Sequence, residues 1–223
     1  MNLREDIEKA IKANDLKKLM TDAAQIRGHF CPGLAMGIIA SSYAMRQINV
    51  SSDGLEDLVA ITETNNCFSD GVQFVTGCTF GNNALIFKDI GKTAFTLTQR
   101  DGNGIRLMAL SVAREVIRKA YPEFSELYQK VVKEKNHDKE VLEKFKEAGV
   151  KRAFETLKIP AKELFKIESV KVKLPAYAPS HESVFCTKCG EEVMATRISD
   201  DQVCFTCLGS GYYQLDGHGI KKI

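Results

Sequence analysis

No stretch of the sequence approaches the roughly 20 apolar residues that a membrane-spanning helix needs, so no such segment is expected. The first residues, MNLREDIEKAIKANDLKKLM, alternate charged and apolar side chains and contain no signal-peptide core, which predicts a cytoplasmic protein. An excess of one charge is also missing. Lys and Arg number 31 against 29 Asp and Glu, a net of +2, too small to argue for nucleic acid or an acidic membrane surface. Internal repeats and low-complexity tracts are absent. What remains is ordinary for a soluble globular chain: 223 residues, 44 % hydrophobic and 27 % charged. That length allows one sizeable core, or one core plus a small module.

Cysteine is the residue in unusual supply. In the expected reducing compartment, seven thiols point to metal binding or chemistry rather than disulfides. They divide into Cys31, Cys67 and Cys78 early in the chain and Cys186, Cys189, Cys204 and Cys207 near its end. The division predicts a core over 1–174, a linker at 175–180 and a module over 181–223. The two prolines of PAYAPS mark the linker.

Along the core, apolar spacing over 3–26 predicts one or two helices, with a break near Asn14–Asp15. GHFCPG (28–33) interrupts them. Pro32 then suits the first position of a second helical segment that is apolar nearly all round and rich in small residues. Such a helix packs closely, against another helix or a second subunit, and 33–45 is a candidate dimer seam. LVAITET (58–64) reads as a strand. A short helix capped by Asn66 or Ser69 and ended by Gly77 follows. Runs at 84–88, 93–99 and 104–109, separated by DIGK and RDGNG, read as an antiparallel meander. Residues 111–166 carry 14 basic and 10 acidic side chains, interleaved as on a solvated helical face. IESVKVKL (167–174) alternates like a strand. The predicted fold is therefore α+β: an antiparallel sheet packed with helices, then a small Cys₄ module.

The strongest motif is CTKCGEEVMATRISDDQVCFTCLG, two C-x-x-C pairs with 14 residues between them. Tetrahedral Zn²⁺ takes four thiolates, and each C-x-x-C turn brings two of them to one ion. Gly190, and Leu208–Gly209, follow the pairs where the chain must turn. The intervening segment reads as a β-hairpin turning at Ser-Asp-Asp, as in a zinc ribbon or a treble-clef-like module. Matched pairs argue against a redox C-x-x-C. The balance from His181 onward, four basic against six acidic residues, argues against a phosphate-binding finger. Tyr212 and Tyr213 are expected to be packing residues.

The core cysteines form a weaker set. Cys31 precedes a helix, where backbone N–H groups lower a thiol's pKa, so it is the candidate nucleophile. Cys67 and Cys78 also fall at element ends, where scaffolded loops carry chemistry. With His29 these three could complete a second metal site, zinc favoured, or leave a coordination position open. Asp70 is a candidate to orient His29, or simply an acidic residue at a helix start. Lys88 and Asp89 read as an ordinary surface pair.

GHFCPG, Cys67-x-x-Asp70, TGCTFGN (76–82) and KDIGKTAF (88–95) together resemble the formylmethanofuran dehydrogenase E-subunit family, and the Cys₄ tail resembles the zinc finger that many members carry. The resemblance implies an α+β core, a metal site at His29, Cys31, Cys67 and Cys78 with Asp70 and Thr79 nearby, and dimers. It also implies partner subunits of a tungsten or molybdenum enzyme. One departure stands out: the family often places a lysine after GCT-x-G, where this chain has Asn82 and Asn83. No pterin-binding domain or ferredoxin-type run is present. The implied function is thus a metal-binding accessory protein. The alternatives are a stand-alone metal- or thiol-dependent enzyme and an interaction or regulatory protein acting through its zinc module.

Overall fold

The N-terminal periodicity folds as two helices, α1 (Glu5–Ala13) and α2 (Leu16–Arg27), in the computed structural model, which describes residues 3–223. The break falls at Asn14, whose φ of 54° lies in the left-handed region that Asn tolerates. Asp15 caps α2, its carboxylate accepting from the Lys18 amide at 2.9 Å. Pro32 then opens α3 (Pro32–Gln47), which buries eleven of its 16 residues.

The chain continues through β1 (Leu58–Thr62), α4 (Cys67–Thr76), β2 (Leu85–Phe87), β3 (Ala94–Gln99) and β4 (Asn103–Ala109). Helices α5 (Ala113–Ala120) and α6 (Glu123–Tyr128) follow, the latter running into a π-helical turn at Gln129–Lys133. Then come α7 (Lys139–Thr156), α8 (Ala161–Leu164) and β5 (Phe165–Lys171). The five strands form one sheet in the order β2-β1-β3-β4-β5.

The predicted meander survives only in part. β3 and β4 pair antiparallel, but β2 lies parallel to β1, with Ile61 opposite Ile86, and β1 separates it from β3. β1 is buried at every position and so takes an interior place with a partner on each side. The three-residue β2 takes an edge, as short strands do. The DIGK segment carries the chain across the end of β1. The Lys88 amide donates to the Thr62 carbonyl at 2.8 Å and the Lys92 amide to that of Glu63 at 3.0 Å. β5 starts two residues before the predicted strand because buried Phe165 already pairs with Ala109.

Of the two packings expected for the small residues of α3, the one against another helix is seen within the chain. At the α3–α4 crossing, a Cβ on Gly37 would overlap the Phe68 carbonyl oxygen. One on Gly71 would lie 2.8 Å from the Ile38 nitrogen and the Leu34 oxygen. Only glycines permit that approach. Ser41, at the same crossing, donates to the Gly37 carbonyl at 2.6 Å and to that of Gly71 at 3.4 Å. Beneath α4, Phe68 meets Phe95 at 6.0 Å and Phe165 at 6.1 Å between ring centroids, which ties α4 to the sheet.

This unit runs to Leu174, and a second spans Pro175–Ile223. Residues 175–182 are exposed and take no regular structure. The second unit holds β6 (Ser183–Phe185), β7 (Glu192–Met194), a 3-10 turn at Ala195–Arg197, α9 (Phe205–Leu208), β8 (Tyr213–Asp216) and β9 (Gly219–Lys222). The predicted hairpin is displaced. β6 and β7 pair around the first C-x-x-C, and the Ser199–Gln202 turn closes only the single bridge Ile198–Cys204. Tyr213, expected to pack, is 69 % exposed.

Candidate metal centre and cysteine pair

In the second unit the sulfurs of Cys186, Cys189, Cys204 and Cys207 all lie within 4.8 Å of one another, and those of Cys189 and Cys204 are 3.9 Å apart. A tetrahedral ion with bonds of about 2.3 Å would space its ligands at ~3.8 Å, so the set fits a metal ion such as Zn²⁺. The first pair sits in the β6–β7 connection, where the Gly190 amide donates to the Cys186 carbonyl at 2.9 Å and Gly190 takes a φ of 74°. The second pair opens α9. Cys204 is its N-cap, and its sulfur accepts from the Cys207 amide at 3.4 Å. The Cys204 amide donates to the Cys186 sulfur at 3.3 Å. That bond and the amide of Cys189 pull the Cys186 thiol down to about 6, toward the thiolate a metal needs. A helix at the second pair makes this the treble-clef-like arrangement rather than a ribbon.

In the core, two of the predicted residues meet. Cys31 is the N-cap of α3, its sulfur accepting from the Leu34 amide at 3.4 Å, and Cys67 is the first residue of α4. The helix starts fit side by side because Gly33 has no Cβ; one there would lie 3.1 Å from the Cys67 Cβ. The Cys31 and Cys67 side chains are close enough to shift each other's titration. Arg27, the last residue of α2, places Nη1 3.7 Å from Cys31 Sγ and acts electrostatically on Cys67 as well. Its Nε pairs with Asp70 at 3.1 Å.

The two thiols are pushed in opposite directions. Cys31, with Arg27 behind it and burial opposing, holds the Cys67 thiol down at about 5. Cys31 moves the other way, raised first by Cys67 and then by burial. Thiols coupled in this way titrate as a pair.

The remaining core candidates lie elsewhere. Cys78 is 1 % exposed, its thiol donates to the Leu58 carbonyl at 3.3 Å, and burial raises its pKa. It is a buried hydrophobe with a weak donor. His29 is exposed, with Nδ1 facing the Arg27 carbonyl at 3.3 Å. Asp70 engages Arg27 rather than His29. Thr79 exchanges bonds with Asn82, its amide donating to Asn82 Oδ1 at 2.8 Å and its hydroxyl accepting from the Asn82 amide at 3.3 Å. Among the described residues the Cys₄ set is the one group of three or more potential metal ligands whose donor atoms lie within 4.8 Å of one another; His29, Cys31, Cys67 and Cys78 are not gathered in that way. Sequence reasoning missed Arg27, although its place just before GHFCPG and four residues from Cys31 was the available signal. Asn82, noted in the sequence only as a departure, turns out to have a structural role. Where the family often has lysine, this side chain closes the 77–84 loop, donating to the Gly77 carbonyl at 2.6 Å and the Gly54 carbonyl at 2.8 Å.

A family model described as "FmdE, Molybdenum formylmethanofuran dehydrogenase operon" matches residues 26–166. The chain belongs to the FmdE family. The matched segment contains Arg27, His29, Cys31, Cys67 and Cys78; the Cys₄ unit lies beyond it. The chain is similar to a protein of Archaeoglobus fulgidus named a probable S-adenosyl-L-methionine-binding protein, with 40 % identity over 221 residues. That match covers 96 % of this chain but 59 % of the relative, so the chain spans only part of that protein's length. A crystal structure of a tungsten formylmethanofuran dehydrogenase FmdE-like protein from Syntrophus aciditrophicus shares the fold. Its TM-score is 0.54 at 23 % identity, covering 88 % of this chain and 94 % of that one. No described helix of this FmdE-family chain is long and apolar enough to cross a membrane.

Proposed function

We propose that this FmdE-family chain is a metal-binding accessory protein of tungsten or molybdenum formylmethanofuran chemistry. It holds one structural Zn²⁺ on Cys186, Cys189, Cys204 and Cys207. The observation that carries this reading is the convergence of four sulfurs within 4.8 Å. A closed all-thiolate tetrahedron suits Zn²⁺ and leaves no position for water or substrate, so this metal supports a fold rather than a reaction. The accessory role is supported by the family's description and by the lack of any pterin or ferredoxin segment in the sequence. The S-adenosyl-L-methionine in the Archaeoglobus relative's name belongs to a protein of which this chain spans 59 %, and we give that ligand to no residue of this chain.

The test is metal content by elemental analysis. The intact chain is expected to carry one zinc, and Cys204→Ser none. An intact chain without bound metal overturns the reading. A metal that stays on Cys204→Ser would give the metal role to the core.

A second reading, a thiol-dependent activity in the core, is favoured by one observation: Cys31 and Cys67 stand at the starts of two packed helices with the Arg27 guanidinium 3.7 Å from the Cys31 sulfur.

A further inference from the structure

We infer that the end of the sheet where β4 hands over to α5 binds a small organic phosphate. It needs neither the zinc nor the two helix-start cysteines. A cavity of about 400 Å³ opens there, bounded by Met36 of α3, by Lys92 and Thr93 ahead of β3, and by the 108–114 corner. These stretches are tied to the fold by the backbone. The Ala109 amide donates to the Thr93 carbonyl at 2.8 Å, the Leu110 amide to that of Leu164 at 2.9 Å, and the Ala113 amide to that of Leu110 at 3.0 Å. A space of this size suits a small metabolite rather than a bare ion.

The charge around this cavity has one sign. Lys92 and Arg114 line it together with Thr93 and Ser111, and no Asp or Glu does. Among the described residues none of these four side chains makes a hydrogen bond or an ion pair. The acids close by in the chain or in the field are committed elsewhere. Lys92 acts electrostatically on Glu63, but Arg106 holds that carboxylate through bonds of 2.6 and 2.8 Å. Glu115, beside Arg114 in the sequence, pairs with Arg118 and Lys119. Two positive charges against a partly apolar wall draw an anion more strongly than they would in open water, because less solvent screens them. An ammonium, a guanidinium fork and two hydroxyls are all able to donate. A phosphate monoester offers them up to two charges and three terminal oxygens, whereas a carboxylate offers one charge and two oxygens. Met36, itself buried, and Met108 give the organic group of the ester an apolar, adaptable wall.

The test uses the intact chain, labelled with ¹³C at its methionine methyls and titrated with phenyl phosphate. Saturable shifts are expected at Met36 and Met108, while the methyls of Met20 and Met45, sealed in the core, stay in place. Lys92→Ala and Arg114→Ala are each expected to weaken binding about tenfold or more, the loss of one charge-assisted bond. Unchanged Met20 and Met45 signals show that each variant is folded. Benzoate, with a single charge, and inorganic phosphate, with no organic group, are expected to bind more weakly than phenyl phosphate. The proposal is overturned if Met36 and Met108 show no saturable shift at millimolar phenyl phosphate, or if binding survives both substitutions. It is also overturned if benzoate or inorganic phosphate matches phenyl phosphate, or if Lys17→Ala, which removes an exposed cation outside the cavity, weakens binding as much.

Discussion

The unit that runs to Leu174 buries Phe68, Phe95, Leu97, Leu107 and Leu164 almost completely, whereas in Pro175–Ile223 the only such hydrophobic residues are Cys186 and Cys204. Phe185, Met194, Leu208, Leu215 and Ile220 of the second unit are exposed. A unit that small cannot enclose enough apolar surface to offset the entropy of ordering its chain, so a different cohesive element is required. Four sulfurs converging on one point supply it. The same residue type stands in three settings: in a four-sulfur cluster that could hold a metal ion at Cys186, at a helix start at Cys67, and as plain core filler at Cys78.

Removing the metal should break the comparison most sharply. Structural Zn²⁺ in small modules is worth on the order of 10–16 kcal/mol of folding free energy. A strong chelator is therefore expected to abolish amide protection over 183–222 and leave that of β1, β3 and β4 unchanged. If protection falls equally in both units, the two are not stabilised by different means. Phe95→Ala asks the reverse question. It should cost the core ~3–5 kcal/mol in denaturant unfolding, as large aromatic deletions do, with no change in bound zinc.

The smallest effect lies in the buried ion pair of the sheet. Arg106 meets Glu63 through two bonds of 2.6 and 2.8 Å, and these bonds are the first cause holding the Glu63 carboxyl below its ordinary value. A depressed acid contributes stability above its unfolded pKa, about 4.3, and that contribution fades as pH falls through the lower folded value. Arg106→Ala is thus expected to cost about 1–2 kcal/mol at pH 7. It should also flatten the loss of core stability between about pH 5 and pH 3. An acid limb as steep in the variant as in the parent would show that other groups govern it. Zinc-dependent protection of the second unit at pH 7 should not respond to this substitution.

Much of the fold was legible because its signals are local. Asn14 ends one helix, Asp15 starts the next, and Pro32 opens the third. Of the two proposed caps for α4, Asn66 is the one used, accepting from the Phe68 amide at 2.9 Å, while Ser69 donates back to the Thr64 carbonyl at 2.5 Å. The C-x-x-C spacing likewise announced its own geometry. The core site was half legible. Residue type and position at helix starts pointed to Cys31 and Cys67. The same rule misplaced Cys78, because a loop cysteine in the sequence can still be covered by a strand.

Residue order alone was enough to place the first helix boundaries, to locate strands near 58–64 and 84–109, and to mark four late cysteines that can share one ion. Those features depend on neighbours within a few turns of chain. Three others emerged only once the chain was packed: β2 lies parallel to β1, Gly37 and Gly71 face each other, and Arg27 takes Asp70 and Cys31 as partners. Such outcomes depend on which distant surfaces exclude water together, and on how close two helix starts can come once a glycine leaves the gap.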